Sequence, residues 1–136
     1  MPEAPSDTSA RGLLARFYQA MIDKSADDLA DLYAPDAVHE FPFAMPGLPP
    51  RLNGREEVRA SYRAMWGATP AKVEEIRDVT TYDTTDPGVL VSRHVTACTL
   101  PDGSAFAVPG LLIMRTRDGL LAHVADYMDT GSTPRA

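Results

Sequence analysis

The chain has few of the features that commit a protein to an oxidising compartment, a membrane or a nucleic acid. Its single cysteine, Cys98, can form no intrachain disulfide. No apolar run approaches the roughly 20 residues that a membrane-spanning helix needs. The net charge of −6 argues against binding to nucleic acids or to anionic membranes. Residues 1–7 lack the basic start and the apolar stretch of a secretion signal. These absences predict a cytoplasmic protein with neither a nucleic-acid nor a membrane partner.

The signatures of several chemistries are also missing. The chain has no glycine-rich phosphate loop and no paired-cysteine zinc pattern. Its histidines, at positions 39, 94 and 123, lack the close spacing of helical metal sites. Cys98 has no nucleophile motif around it. We therefore expect no metal and no cofactor.

What is present fits one globular domain. The 136 residues suit a single core, and 44% of them are apolar. We expect a mobile N-terminal segment at residues 1–8, one domain over 9–130 and a C-terminal tail at 131–136. Twelve prolines are many, and some of them stiffen a predicted loop over residues 44–51.

Helical periodicity dominates the first half of the chain. Apolar residues at three- and four-residue spacing predict a helix over 9–23 and another over 55–66. Between them, Ser25 or Asp27 can cap a short helix that carries Leu29, Leu32 and Tyr33. A strand is predicted to follow, over 37–43.

Long strands with tight turns make up the second half. Period-two alternation predicts strands over 72–81, 89–100, 104–117 and 120–129. The short breaks between them require antiparallel neighbours. The predicted class is therefore α+β, with three helices packed on a strongly curved, mostly antiparallel sheet. Such a cone-shaped fold would enclose a pocket.

The last strand carries the best single candidate for a catalytic residue. Residues 120, 122, 124, 126 and 128 share one face, and all except Asp126 are apolar. A carboxylate is costly to bury without a partner. The pattern of this strand therefore predicts that Asp126 either forms a buried structural ion pair or acts as a catalytic acid–base group.

Two other ionisable residues interrupt apolar faces in the same way. His39 shares its face with Ala37, Phe41 and Phe43, and Arg93 shares its face with four apolar positions of its strand. We expect Arg93 to orient Asp126 and offset its charge, and His39 to act as an acid or a hydrogen-bond donor. The alternative for His39 is a structural hydrogen bond inside the core. His94 and His123, on the opposite faces, are expected to be exposed or at an interface.

Aromatic and apolar residues of the helices and strands are expected to supply the substrate-binding surface: Phe17, Tyr18, Phe41, Phe43, Trp66, Leu111 and Met128. Tyr18, Tyr62, Met65 and Trp66 also fit a helical core spacing, and some of them could form a pocket wall.

Several segments together resemble the nuclear transport factor 2-like superfamily, which includes SnoaL-like polyketide cyclases and ketosteroid isomerase. The resemblance lies in Leu32–Val38, the proline-rich loop, Gly54–Val58 and the long strands that end with Arg117–Leu120. It covers about residues 9–130 and implies the cone fold, a small hydrophobic ligand and a homodimer.

A local likeness to limonene-1,2-epoxide hydrolase runs through 89–93, 100–103 and 125–129. It implies that Arg93 and Asp126 fall on that enzyme's arginine and water-activating aspartate. The enzyme's second aspartate would fall on Val95, so the proton donor is absent.

Ketosteroid isomerase fits less well, because its functional positions would fall on Phe17, Phe41 and Leu111, all apolar. SnoaL-like cyclases fit better, since Asp126 and Asp129 reproduce their final-strand aspartate pair.

Together these observations predict a cofactor-independent acid–base enzyme. It would carry out cyclisation, isomerisation, dehydration or hydrolysis on a small hydrophobic molecule such as a polyketide or terpenoid. One alternative is an epoxide hydrolase with an altered proton donor. The other is a non-catalytic module that binds a small ligand.

Overall fold

The computed structural model describes residues 8–43 and 47–129. Its helices are α1 (Ala10–Asp23), α2 (Ala26–Ala30) and α3 (Arg55–Ala68). Its strands are β1 (Tyr33–Glu40), β2 (Arg51–Asn53), β3 (Lys72–Asp83), β4 (Val89–Thr99), β5 (Ala105–Arg117) and β6 (Leu120–Met128). Residues 1–7, 44–46 and 130–136, and with them nearly all of both predicted terminal segments, lie outside the described residues.

The strands form one six-stranded sheet in the order β2-β1-β6-β5-β4-β3. Every neighbouring pair is antiparallel except β1 and β6, which are parallel. The α+β class is therefore confirmed, with three helices and a mostly antiparallel sheet. None of the helices in the described ranges has the length and hydropathy of a membrane span.

The helices begin where capping chemistry allows. Ser9 accepts a hydrogen bond from the Gly12 N–H at the start of α1, and Ser25 does the same for Asp28 in α2. Gly54 precedes α3 with φ +93°, and a Cβ there would lie 3.3 Å from the Pro35 carbonyl oxygen. Only glycine accepts both constraints without strain.

Three elements differ from the sequence-based prediction: α2, β2 and β1, which spans Tyr33–Glu40 rather than 37–43. Helix α2 ends at Ala30, and Tyr33 already belongs to β1. The chain leaves the helix because the Leu32 carbonyl accepts a hydrogen bond from Leu121 N (2.8 Å), so pairing with β6 replaces helical bonding. Strand β2 was not predicted, because three residues are too few to show a period-two pattern.

The core lies between the helices and one face of the sheet. Leu13, Phe17, Leu29, Val58, Leu112 and Val124 are among its fully enclosed residues. On β4 this inner face carries Leu90, Ser92, His94, Thr96 and Cys98, all buried. The opposite face of β4 carries Val91, Arg93 and Val95, with Arg93 exposed. Three polar residues therefore lie on the inner face of a central strand.

Candidate active site

A cavity of about 250 Å³ lies between the helices and the inner face of the sheet. Apolar side chains form most of its wall, among them Phe17, Met65, Trp66, Val108, Leu112 and Met128. Asp126 lines the same cavity and is 6% exposed. A small, mostly apolar hollow with a few converging polar groups is typical of a site for a small molecule.

Two side chains from distant elements hold the Asp126 carboxylate on its buried side, and a third side chain supports one of them. Tyr62 of α3 donates its O–H to Asp126 Oδ2 at 2.9 Å. His39 of β1 places Nε2 3.1 Å from the same oxygen. Tyr33 lies behind the histidine, with its hydroxyl oxygen 2.7 Å from His39 Nδ1. These bonds are mutually satisfied when Tyr33 donates to Nδ1 and the Nε2–H donates to Asp126.

The network binds one carboxylate oxygen and leaves the other available. Within the described residues, every side-chain hydrogen bond to Asp126 ends on Oδ2. No buried side-chain oxygen or nitrogen of the described residues lacks a partner. Oδ1 therefore faces the cavity that Asp126 lines, where it can accept a proton from a bound molecule.

The tyrosines of this network remain protonated. Burial raises the pKa of Tyr62 well above its ordinary value, and the negative charge of Asp126 raises it further. Burial and the same carboxylate raise the pKa of Tyr33 in the same direction. Both phenols therefore serve as O–H donors rather than as bases.

A second polar cluster lies on β4 beside the cavity. The Tyr18 hydroxyl is 2.8 Å from Ser92 Oγ and 3.1 Å from His94 Nδ1. Burial lowers the pKa of His94, opposed only in part by Asp126, so its ring is neutral at pH 7. If Tyr18 donates to Nδ1, then Nε2 carries the proton and can donate it into the cavity that His94 lines.

Gly110 makes room for this histidine. The two residues face each other across β4 and β5, and a Cβ on Gly110 would lie 2.9 Å from His94 Nε2. Any other residue would push the imidazole away, so the glycine helps to position the donor.

The expected pairing of Arg93 with Asp126 is wrong. Arg93 is exposed and lies on the outer face of β4, opposite Thr80 and Leu111 of the neighbouring strands. The prediction assigned the more apolar face of β4 to the interior. The interior face is instead the one with Ser92 and His94, because the Tyr18 hydroxyl lies within hydrogen-bond distance of both side chains.

Three of the seven residues expected to form the binding surface line the cavity: Phe17, Trp66 and Met128. Tyr18 and Phe41 are buried behind the wall, where Tyr18 binds His94 and Phe41 packs on His39. Leu111 was misplaced because it faces outward with Arg93.

Phe43 was misplaced as well. It is 59% exposed, because β1 ends at Glu40, and it packs against Tyr127. His39 contacts Asp126 but does not line the cavity.

Sequence reasoning missed His94 and undervalued Tyr62. His94 is 7% exposed rather than at the surface, while His123 is half-buried and hydrogen-bonds Glu40. The run of Ser92, His94 and Thr96 at period two was the available signal, since three polar residues on one face of a long strand are unusual in a plain core. Nothing in the helical spacing of Tyr62 distinguished it from a core residue.

No group of three or more His, Cys, Asp or Glu side chains that could hold a metal ion occurs in the part of the chain that the structure describes.

The sequence profile of the SnoaL-like domain family matches residues 14–124. The chain belongs to the SnoaL-like domain family. Its fold is that of the nuclear transport factor 2-like proteins, as the resemblance implied.

Both the sequence and the structure comparisons find relatives of this SnoaL-like protein. An uncharacterized PhzA/B-like protein of Pseudomonas aeruginosa is 28% identical over 120 residues, covering 88% of this chain and 83% of the relative. A Bacillus subtilis structure provisionally named an isomerase has a TM-score of 0.78 at 21% identity, covering 88% of this chain and 86% of that one.

A Xanthomonas campestris structure provisionally named a polyketide cyclase has a TM-score of 0.71 at 20% identity. The match covers 90% of this chain and 91% of that one. At these identities the structures show that the SnoaL-like chain shares their fold and no more.

Proposed function

We propose that this protein is a cofactor-independent enzyme that moves a proton on a small hydrophobic molecule, with Asp126 as the general base. The observation that carries the proposal is the asymmetric environment of the carboxylate. Tyr62 and His39 hold Oδ2, while Oδ1 faces an apolar cavity. A base fixed on one side and available on the other is arranged for proton transfer.

The polar groups of the wall have complementary roles in such a reaction. Asp126 Oδ1 takes a proton from an acidic C–H of the substrate, and the electron pair moves onto an adjacent carbonyl oxygen. The neutral His94, held by Tyr18, donates Nε2–H toward the oxygen on which that charge develops. In an isomerisation, the protonated Asp126 then returns the proton to another atom of the substrate. In a ring closure, the carbanion attacks a second carbonyl carbon, the π pair of that carbonyl moves onto its oxygen, and the protonated Asp126 supplies the proton that this oxygen takes up. General acid–base help of this kind is worth about 10²–10⁴-fold in rate.

The wall composition favours a polyketide- or terpenoid-like substrate. A cavity of about 250 Å³ is near the lower end of the ~300–1,000 Å³ range for ligand sites, so the substrate is small. The Bacillus subtilis and Xanthomonas campestris structures are provisionally named for isomerisation and for polyketide cyclisation, and both reactions belong to this class, which supports the same assignment here.

Epoxide hydrolysis by the limonene-epoxide route is not supported. That route needs an arginine between two aspartates, whereas Arg93 faces away from the cavity and Val95 occupies the donor position. A non-catalytic binding module remains the competing reading, and one experiment separates the two.

The experiment is solvent-deuterium exchange followed by NMR. Small β-diketones, β-ketoesters and aryl ketones are incubated in D₂O with the wild type, with Asp126→Asn and with Asp118→Asn, an exposed turn carboxylate that serves as the control. We expect the wild type and the control to catalyse C–H exchange of at least one compound and Asp126→Asn to lose this. Ligand binding without exchange above the Asp126→Asn rate would identify a binding module and overturn the proposal.

We further propose that the protein is a homodimer formed through the outer face of the sheet. The helices pack on the inner face of the sheet, so no helix covers the outer face. The outer face nevertheless presents half-buried apolar residues, including Val91, Val95, Ala107, Leu111 and Ile113. Arg93 and Glu75 lie on the same face and offer opposite charges that a two-fold axis can pair.

Light scattering after size-exclusion chromatography tests this assembly. We expect a dimer for the wild type and for the control Ala68→Glu, which adds the same charge on α3, and a monomer for Leu111→Glu. A monomeric wild type would contradict the proposal.

A further inference from the structure

The cavity contains a second charged residue that the proposed reaction does not use. Lys24 follows the C-terminus of α1 and lines the cavity. Its Nζ donates to the Ala71 carbonyl at 2.8 Å and to the Thr69 carbonyl at 3.2 Å. An ammonium group has three donors, so one N–H remains after these bonds.

No carboxylate of the described residues forms an ion pair with this ammonium group. Asp126 is the only carboxylate among the cavity-lining residues. Lys24 is half-buried, so solvent screens its charge only in part.

Thr69 adds a neutral donor at the same place. Its Oγ1 accepts a hydrogen bond from Ala71 N at 3.2 Å, and the residue lines the cavity. No acceptor for the Thr69 hydroxyl hydrogen occurs among the described residues. One N–H of Lys24 and the O–H of Thr69, neither with an acceptor among the described residues, therefore lie at the same end of the cavity.

The Lys24 end of the cavity lies opposite the Asp126 end. Lys24 binds the backbone just before Val73, and Val73 pairs with Cys98. Cys98 and His94 both line the cavity, and they lie four positions apart along β4, or roughly 13 Å. Asp126 belongs to the His94 end, because its neighbour Leu112 pairs with Ser92.

We infer that the ligand of this cavity is a small apolar molecule that carries a carboxylate. The carboxylate binds Lys24 Nζ and Thr69 Oγ1, and the apolar body extends toward Asp126. One cationic donor and one hydroxyl suit a monoanion better than a phosphate dianion, which would need more donors. The inference rests on the proposed function only where it says that the ligand reacts at its apolar end, next to Asp126. Binding of the carboxylate by Lys24 and Thr69 does not depend on the proposed function.

The lysine is placed where the ligand can reach it from solvent. Lys24 and Trp66 also line a surface depression that includes Ser25, Asp27 and Arg63. The cationic end of the cavity therefore adjoins the surface, whereas Asp126 lies at the inner end. An amphipathic acid would enter with its apolar body first and leave its carboxylate at the entrance.

The experiment compares matched ligands and matched variants by isothermal titration calorimetry. The ligands are ω-phenylalkanoates from phenylacetate to 5-phenylpentanoate and their methyl esters, which keep the shape and lose the charge. Lys24→Gln keeps donors for the two carbonyls but removes the charge, and Lys24→Arg keeps the charge. The control is Lys72→Gln, which removes the same charge from an exposed side chain on β3.

We expect the wild type, Lys24→Arg and Lys72→Gln to bind at least one acid more tightly than its ester. Lys24→Gln should weaken that acid by roughly 10- to 100-fold, as for the loss of a charged hydrogen bond, and leave the ester unchanged. Equal affinity for acid and ester in the wild type, an acid preference that survives in Lys24→Gln, or no binding of any probe at millimolar concentration would overturn the inference.

Asp126→Asn separates this result from the proposed function. The variant should bind the acid at least as tightly as the wild type, because it removes a negative charge from the cavity, while it loses deuterium exchange. If Asp126→Asn loses deuterium exchange while Lys24→Gln binds the acid as tightly as the wild type does, the carboxylate site is refuted. The proposal that Asp126 is the base then still stands.

Discussion

Replacing Tyr62 by phenylalanine tests the network that holds Asp126. The substitution removes one hydroxyl and keeps the ring, so it leaves no large cavity. Asp126 Oδ2 loses a donor at 2.9 Å and keeps His39 at 3.1 Å. A hydrogen bond to a charged group contributes about 1.5–3 kcal/mol, so we expect the free energy of unfolding to fall by about that amount.

A double-mutant cycle separates this bond from other effects of the substitution. In an Asp126→Asn background the Tyr62 hydroxyl faces a neutral amide oxygen, and its removal should cost only about 0.5–1.5 kcal/mol. The coupling energy between the two positions is therefore expected to be about 1–1.5 kcal/mol. Urea denaturation of the four proteins at pH 7.5, followed by far-UV circular dichroism, supplies the values.

Tyr82→Phe provides the control for this cycle. Tyr82 lies on β3 and is 49% exposed, so its hydroxyl should contribute within about 0.5 kcal/mol and show no coupling to Asp126. A coupling energy between Tyr62 and Asp126 below about 0.5 kcal/mol would refute the reasoning, because the hydroxyl would then not hold a charged carboxylate.

Other predictions concern the second polar cluster. Gly110→Ala should destabilise the fold by about 1–3 kcal/mol, because the new Cβ would lie 2.9 Å from His94 Nε2 and 3.2 Å from the Tyr127 carbonyl oxygen. Gly67→Ala, in α3 with no atom within 4 Å of the new Cβ, should instead stabilise it by about 0.5–1 kcal/mol in the same denaturation assay. Burial lowers the pKa of His94 below 6.5, so as the pH falls through this value the unfolded chain takes up a proton that the folded protein does not. Stability should therefore fall on acidification from about pH 6.5, by up to ~1.4 kcal/mol per pH unit for this proton, until the folded-state pKa is reached. His94→Gln should show a correspondingly smaller slope between pH 7.5 and 5.5, and an unchanged slope would contradict the role of burial.

Local rules were sufficient to predict most of the secondary structure. The apolar spacing of α1 and α3, and the turn residues between the long strands, follow from short-range geometry and backbone preference. Where prediction erred, a long-range partner had replaced a local preference. The Leu32 carbonyl bonds Leu121, and this contact moved Tyr33 from the predicted helix into β1.

The candidate site shows the same division. Asp126 could be selected from sequence, because a lone carboxylate on an apolar strand face has a physical cost wherever that face is buried. His39 could be selected for the same reason, but not its distance to Asp126, since 87 residues separate the two along the chain and the parallel pairing of β1 with β6 brings them together.

Which residues share a face of each strand follows from their order along the chain, because side chains alternate at every step. Which of those faces the helices cover depends on contacts between distant elements. On β4 the covered face is the one with Ser92 and His94, since Tyr18 of α1 bonds both. The apolar face with Arg93 therefore lies outside. Burial depends on what packs against a strand, and that packing is a property of the whole chain.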